Sequence, residues 1–559
     1  MSSRAGTIKI LILGGYGVFG GRLAHLLANL AQATLLIAGR DLAKAQDFCA
    51  RYSGQAGVRP LKLDHREIAD TLGTIAPDLV VDASGPFQDY GANRYGVIEA
   101  CIEVGVDYVD FADAADFVFG VPQFDRRARK AGVFVLSGVS SFPVLTAAVL
   151  RKMAETIEIV SVEGGIAPSP YAGIGLNVMR AVVGHAGAPV KLLRGGEQAT
   201  AIGLAESMRY TIAPPGRLPL RNIRFSLVDV PDLQVIPPEH PTIRDIWMGA
   251  GPLPGWLHRI LNLLAFARAR FGLPSLAPFS RFFFVVLNLM KFGEHRGGMF
   301  VRARGMRNGE PVECSWHLLA EGDDGPFIPS MAIEGIVRKL LTGVRPSAGA
   351  RPGTSALDLA DYDRLFEGKS IVTGFRSDSS SGSLYRTVLG SAFDKLPLQL
   401  QTLHLSGTER KWSGLARVRR GRGLLARLIA GLIGFPHEAQ KVPVTVSFFP
   451  ERGGERWTRT FGSKVFSSHQ SSGTGRNQYL LVERFGIVAV SLALVVEDER
   501  LFLIPRRWSM LGIPMPRLLL PKGTSFESEE DGRFHFNITI AIPLVGLVTA
   551  YEGFLRPAD

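Results

Sequence analysis

Ile8-Lys9-Ile10-Leu11-Ile12-Leu13-Gly14-Gly15-Tyr16-Gly17-Val18-Phe19-Gly20 sets the fold of this 559-residue chain. Six residues of strand-forming composition run into a glycine turn. Arg22-Leu23-Ala24-His25-Leu26-Leu27-Ala28 then continues with helical spacing of apolar residues. Strand, G-x-G-x-x-G and helix in that order form the phosphate-binding unit of a dinucleotide fold. Gly15 is expected to make the tight turn. Gly17 is expected to let the backbone approach a pyrophosphate, and Gly20 to let helix and strand pack closely. Tyr16, Val18 and Phe19 complete the loop, whose free N–H groups face the phosphates together with the positive end of the helix dipole.

Working outward, a second strand at Thr34-Leu35-Leu36-Ile37-Ala38 ends in Gly39-Arg40-Asp41. An NAD site places a carboxylate about 20 residues past the glycines, on the ribose. Here Arg40 stands at the strand end, and a guanidinium matches a 2′-phosphate in charge and geometry. NADP(H) is therefore the expected cofactor over NAD(H), with Lys44 one turn further on as a helper and Asp41 as the counter-argument. Further strands are expected at Leu61–Asp64, 79–83, 108–110 and 133–136, with helices at Asn93–Glu103 and 122–130 between them. Repeated βα units imply a doubly wound parallel sheet whose ligand lies beyond the carboxyl ends of its strands. Asp64, Ser84-Gly85-Pro86 and Gly138 sit at such ends and join the expected cofactor contacts.

These residues carry a resemblance to the saccharopine dehydrogenase-like oxidoreductases: the Gly14–Gly20 loop, Ala38-Gly39-Arg40, Asp82 to Phe87, Ala100 to Asp110, and Gly138 to Pro143. The resemblance is specific over residues 8–145 and looser to about 350. It implies NADP(H) on residues 1–150, then an α+β substrate and dimerisation domain over 151–353. Relatives often carry an aspartate where this chain has Ser140-Ser141, and no arginine constellation for an amino-dicarboxylate stands out. Other branches of the family look like lipid-associated reductases. Residues 354–559 resemble a bacterial domain of unknown function, DUF4166-like, through stretches such as Gly390 to Pro397, Glu455 to Gly462 and Arg506-Arg507-Trp508. The expected fold class is α/β in three parts: an N-terminal Rossmann sheet, an α+β domain, and a β-rich tail forming a curved sheet or partial barrel with an apolar pocket.

Composition narrows the classes. Hydrophobic residues make up 46% and charged residues 20%, which excludes a mainly disordered chain. Three cysteines without a C-x-x-C point to a reducing, cytoplasmic setting. The net charge of +12 is uneven: −1 over residues 1–150, +7 over 151–353 and +6 over 354–559, densest between Arg410 and Arg427. An anionic partner fits that excess, as does a solvated basic face. No zinc-finger or RNP-type motif accompanies it, so nucleic acid is not expected. Residues 256–292 are apolar but interrupted by arginines and split by Pro274 and Pro278. Two amphipathic helices there fit a membrane interface, a homodimer seam or an internal core.

No Tyr-x-x-x-Lys, G-x-S-x-G, H-E-x-x-H or phosphate-loop motif occurs, and no metal is expected. Hydride transfer belongs to the nicotinamide, and the chain needs at most a proton donor. Tyr171, His185 and His295 are the candidates. The leading expectation is a reductase acting on C=C, C=O or C=N in a lipophilic small molecule, with peripheral membrane contact. The alternatives are a saccharopine-like amino-acid or imine dehydrogenase, and a non-enzymatic nucleotide- and lipid-binding scaffold.

Overall fold

A computed structural model describes residues 6–558 except 92, 174, 253, 290, 292, 378–382 and 406. The stretch 379–383, whose Ser/Gly composition reads as a flexible linker or loop, lies outside the described residues except for Ser383. The chain forms two compact units: Met1–Met208 with Arg224–Ser315 and Leu319–Val372, and Arg209–Ile223 with Trp316–Leu318 and Thr373–Asp559.

The first unit is built on a parallel sheet. Its strands are β1 (Ile8–Leu13), β2 (Ala33–Gly39), β3 (Gly57–Lys62), β4 (Leu79–Asp82), β5 (Asp107–Asp110) and β6 (Phe134–Ser137). The order is β6-β5-β4-β1-β2-β3, and Gly349–Pro352 adds a seventh strand in parallel beside β6. β1, β4, β5 and β6 are buried almost throughout, which is why they read as continuous apolar runs. β3 is the exception. It pairs Thr34↔Gly57 to Gly39↔Lys62 at the sheet edge, so the strand expected at Leu61–Asp64 starts four residues earlier and ends before Asp64. As an edge strand with mostly exposed or half-buried residues, it carries little apolar signal.

A second, mixed sheet follows, with Ile223–Leu227, Asp245–Ala250, Glu158–Ala167 and Arg296–Arg307 adjacent in that order. The apolar stretch forms two helices, Gly255–Phe271 and Ser280–Leu289. Leu257, Leu261, Ala265 and Phe283 pack with Met179 and Val183 of helix Leu176–His185 into a small core. Their other faces leave Leu263, Phe271, Phe282 and Leu289 exposed. No helix among the described residues is long and apolar enough to cross a membrane.

The tail of the second unit is a closed antiparallel barrel. Neighbouring strands run Val488–Glu497, Leu481–Phe485, Lys464–Ser472, Gly454–Phe461, Ala439–Glu451, Arg410–Arg420, Gly546–Pro557, Arg533–Ile542, Phe526–Glu530 and Arg500–Met510. The last returns to the first with Val488↔Met510 through Glu497↔Arg500 and closes the ring. The expectation of a curved sheet or partial barrel thus becomes a closed ring, with the two-residue strand Ile513–Pro514 added beside Arg500–Met510. Leu424–Ile433, whose sequence reads as a helix, forms one between two of the strands.

Candidate functional site

The dinucleotide loop is shaped by backbone proximity. Gly14 takes φ +70°, and a Cβ there would stand 2.6 Å from the Ala83 carbonyl oxygen at the end of β4. The left-handed turn therefore falls on Gly14, one residue before Gly15, where it was expected. Gly15 instead packs against β1 and β2, 2.9 Å from the Ile12 carbonyl oxygen and 3.1 Å from Ile37 by the same measure. A Cβ at Gly20 would lie 2.5 Å from the Gly14 carbonyl oxygen and 2.9 Å from the Gly15 Cα, so Gly20 seats the helix on the loop, where close packing of helix on strand was expected.

Helix α1 (Val18–Leu26) starts from Gly17, with no side-chain cap and no acidic residue in its first turn. Gly17 and Val18 are exposed, and Phe19 stacks on Phe111 at 5.6 Å. The first N–H groups of α1 are thus without side-chain partners at an open helix end, the arrangement that takes up an anion.

At the end of β2 the Tyr16 ring covers Gly39, where a Cβ would meet the ring at 2.4 Å. The Tyr16 hydroxyl accepts the Asp41 N–H at 3.1 Å. Asp41 caps helix α2 (Leu42–Arg51) by accepting the Lys44 N–H at 3.2 Å, and its carboxylate lies 3.6 Å from Lys44 Nζ. The acid that argued against a 2′-phosphate is therefore occupied, and Lys44 is occupied with it. Arg40 is exposed, and nothing among the described residues engages its guanidinium. Asp64 turns back on its own segment: it accepts the Arg66 N–H at 3.1 Å and sits 3.3 Å from His65 Nδ1.

Two buried carboxyls tie the strand ends together, and neither stood out in the sequence. Asp82, at the end of β4, accepts from the Ser84 N–H at 3.0 Å and from the Tyr90 hydroxyl at 3.1 Å. Ser84 Oγ and the Tyr90 hydroxyl are 2.6 Å apart, and Tyr90 stacks on His65 at 4.6 Å. Burial pushes the Asp82 carboxyl up, against the pull of these bonds, and burial beside Asp82 raises the Tyr90 hydroxyl. Asp110, at the end of β5, accepts from Gly138 N–H at 2.7 Å, Ala112 N–H at 2.9 Å and Ser137 Oγ at 3.0 Å. All three bonds go to Oδ1, while Oδ2 is buried without a partner. Burial pushes this carboxyl up to about 7. Gly138, expected near the cofactor, is thus fixed at φ +72° by Asp110, and Gly85 and Pro86 follow Ser84 into the short helix Phe87–Asp89.

The three proton-donor candidates fall in two places. Tyr171 and His295 face each other with ring centroids 4.6 Å apart, and His295 Nε2 lies 3.1 Å from Asp323. The Tyr171 loop rests on α1, where Arg22 donates to the Ala172 carbonyl at 3.1 Å. His185 ends its helix elsewhere, beside Asp113 and Asp229. Gln88, past β4, donates to Asp113 at 3.2 Å and brings that group to the strand ends.

The barrel holds a cavity of about 520 Å³. Val446, Phe461, Leu492, Leu503, Phe536 and Ile538 are typical of its lining. Its buried ionisable groups are engaged within the barrel. Arg459 lies 2.9 Å from Glu483 and donates to Ser468 at 2.8 Å, Gln470 donates to Glu483 at 3.2 Å, and His404 meets Glu527 at 2.6 Å.

Comparison with known proteins agrees with this division. Residues 10–136 match the saccharopine dehydrogenase NADP binding domain, and residues 396–555 match a domain of unknown function, DUF4166. A carboxyaminopropylagmatine dehydrogenase of Synechocystis sp. is 32% identical over 148 residues, 25% of this chain and 35% of that protein. The chain therefore spans about a third of the length of that relative. Among solved structures, an amine dehydrogenase from Mycobacterium smegmatis is 13% identical, covering 61% of this chain and 94% of its own, with a TM-score of 0.31. An oxidoreductase from Sinorhizobium meliloti is 11% identical, covering 64% and 94%, with a TM-score of 0.30.

Proposed function

We propose that this chain, which carries a saccharopine dehydrogenase NADP binding domain, is an NADP(H)-dependent oxidoreductase that reduces a C=C, C=O or C=N bond in a lipophilic substrate. One observation carries the cofactor reading. The uncapped start of α1 lies under a glycine loop with no room for a Cβ at Gly14 or Gly20, and a free guanidinium stands at the end of β2. The loop N–H groups would hold the pyrophosphate. Arg40 would hold the 2′-phosphate, while Asp41, turned into its own helix cap, leaves that phosphate unopposed.

The nicotinamide, when bound, supplies the hydride. The chain's part is orientation and proton placement. Asp82 and Asp110 hold the turns after β4, β5 and β6, where the strand ends of a doubly wound sheet receive their ligand. Asp110, poised at about 7 by burial, exchanges a proton near neutral pH. The Tyr171–His295 pair and His185 with Asp229 are the proton donors to be tested. Support for a lipophilic substrate comes from the exposed apolar faces of Gly255–Phe271 and Ser280–Leu289. The Synechocystis relative favours a second reading, an imine or secondary amine as the reacting bond.

The test is NADPH consumption with two acceptor panels, long-chain enones and ketones against amino-acid-derived imines, with NADH in parallel. Turnover on the first panel, with NADPH preferred at least tenfold in kcat/KM, supports the proposal. Turnover on the second panel alone transfers it to the amine reading. Binding of NADPH without consumption on either panel overturns both.

A further inference from the structure

We infer that the C-terminal barrel is a lipid-binding chamber whose open end docks on an anionic membrane surface and takes up the acyl chain of an anionic lipid. This inference concerns the second unit and stands apart from the dehydrogenase reading.

The barrel's two ends differ in kind. Antiparallel hairpins alternate ends, so the connections 420–439, 461–464, 485–488, 510–523 and 542–546 share one end. The connections 451–454, 472–481, 497–500 and 530–533 share the other. The cavity opens at the first. Leu432, Ile487, Met510, Lys522 and Leu544 both line the cavity and are exposed, and all five belong to the first set of connections. Leu544 is 92% exposed and Leu432 80%.

The exposed apolar residues follow the same division. Of thirteen exposed large hydrophobics described in this unit, eleven sit at the open end. Only Leu398 and Leu405 lie elsewhere. Leu424, Leu425 and Leu428 on the helix Leu424–Ile433, in the open-end connection 420–439, are 82%, 62% and 70% exposed. A concentrated apolar rim of this kind marks an interaction surface.

Charge divides in the same way. The open-end connections hold six Lys or Arg and one acid, Glu438, while the far-end connections hold four Lys or Arg and six acids. The barrel therefore has a cationic, leucine-tipped rim at the cavity mouth and an acidic opposite end. Apolar side chains that enter the acyl boundary, flanked by arginines at headgroup height, form an interfacial anchor selective for anionic lipid. Arg422 and Arg427 alternate with the leucines of the rim helix, and Arg517 and Lys522 flank the opposite lip.

The interior fixes which end of the lipid enters. Within the barrel Arg459 pairs with Glu483 and Glu527 meets His404, and the remaining charged residue of the described lining, Lys522, is exposed at the mouth. The lining that remains is mostly aliphatic and aromatic, with Gln470, Ser525 and Thr539 among it, and about 520 Å³ lies within the roughly 300–1,000 Å³ of small-molecule sites. The acyl chain goes in and the anionic head stays among the rim arginines.

The experiment uses the full chain, vesicles of phosphatidylcholine with or without phosphatidylglycerol, and extraction of lipid from the re-isolated protein. Three variants are compared with wild type: Leu424→Glu with Leu428→Glu, Arg422→Glu with Arg427→Glu, and Phe282→Glu with Leu289→Glu in the first unit. All six positions are exposed, and a separate NADPH titration checks each protein. The expected result is flotation with anionic vesicles at least tenfold above neutral ones. About one phosphatidylglycerol should be recovered per chain. Both measures should drop at least tenfold in the two rim variants and be retained in the first-unit variant. Equal binding to neutral vesicles, loss of binding in the first-unit variant alone, or vesicle binding without recovered lipid would each overturn the inference. NADPH binding is read independently, so failure here is distinct from failure of the reductase reading.

Discussion

Asp110→Asn isolates a group whose cost to the fold is set by burial. In the native chain its carboxyl rises from 3.8 to about 7, because burial outweighs three hydrogen bonds to Oδ1 and because Asp82 adds like charge. The sign follows from which state holds the proton. Below the unfolded value both states are protonated and the group costs nothing. Between about 4 and 7 the unfolded chain releases its proton while the folded chain keeps it, so stability falls as pH rises. Above 7 both are ionised and the full penalty remains. At about 1.4 kcal/mol per pH unit the loss amounts to about 4 kcal/mol. Asparagine keeps Oδ1 as acceptor for Gly138, Ala112 and Ser137 and removes the titration. Its amide nitrogen takes the place of an oxygen that has no partner, which adds a pH-independent cost of about 1–3 kcal/mol. The measurement is native-state hydrogen exchange at strand amides such as Val109 and Val135, from pH 4 to 8, corrected for intrinsic rates. Relative to the variant, wild type should lose about 4 kcal/mol of opening free energy across that range. A difference that stays constant within about 1 kcal/mol would refute the burial argument.

Three further outcomes follow from the same geometry. Arg40→Ala should weaken NADPH at least tenfold, about 1.4 kcal/mol, and change NADH less than twofold by calorimetry, while Asp41→Asn should keep the α2 cap and change NADPH affinity less than twofold. Gly20→Val places carbon against the Gly14 carbonyl oxygen and the Gly15 Cα, neither of which can move far; nucleotide binding should fall beyond detection while the barrel keeps its circular dichroism. Glu483→Gln leaves Arg459 buried without its counter-charge, and thermal unfolding should show a loss of about 3–5 kcal/mol.

The dinucleotide unit was legible because its signals are local: β1, the glycines and α1 lie within 20 residues of each other, and central parallel strands are apolar on both faces. β3 was placed late because an edge strand containing Arg59 and Pro60 has no such run. The strand Arg410–Arg420 was read as a basic cluster. Its alternation was present all along, with Trp412, Ala416 and Val418 inside and Lys411, Arg417 and Arg419 outside, but the arginines masked the period of two. Barrel closure rests on pairing Val488–Glu497 with Arg500–Met510 and on nine other ladders at once, which no single segment announces.

The site shows a further limit of local reading. Asp82 and Asp110 look in sequence like any acid at a strand end, and Asp64 looks the same. What separates them is where the chain goes next. After β4 and β5 the backbone folds back over the carboxyl, so that Ser84, Tyr90, Ala112 and Gly138 all donate inward. After β3 the chain leaves the sheet edge, and Asp64 can only cap the turn beside it. Desolvation then separates the two kinds of acid: the buried pair is driven toward protonation, and the edge acid stays a local cap. Asp82 and Asp110 therefore carry shifted protonation at strand ends where a doubly wound sheet receives its ligand, because at those ends the chain covers the carboxyl.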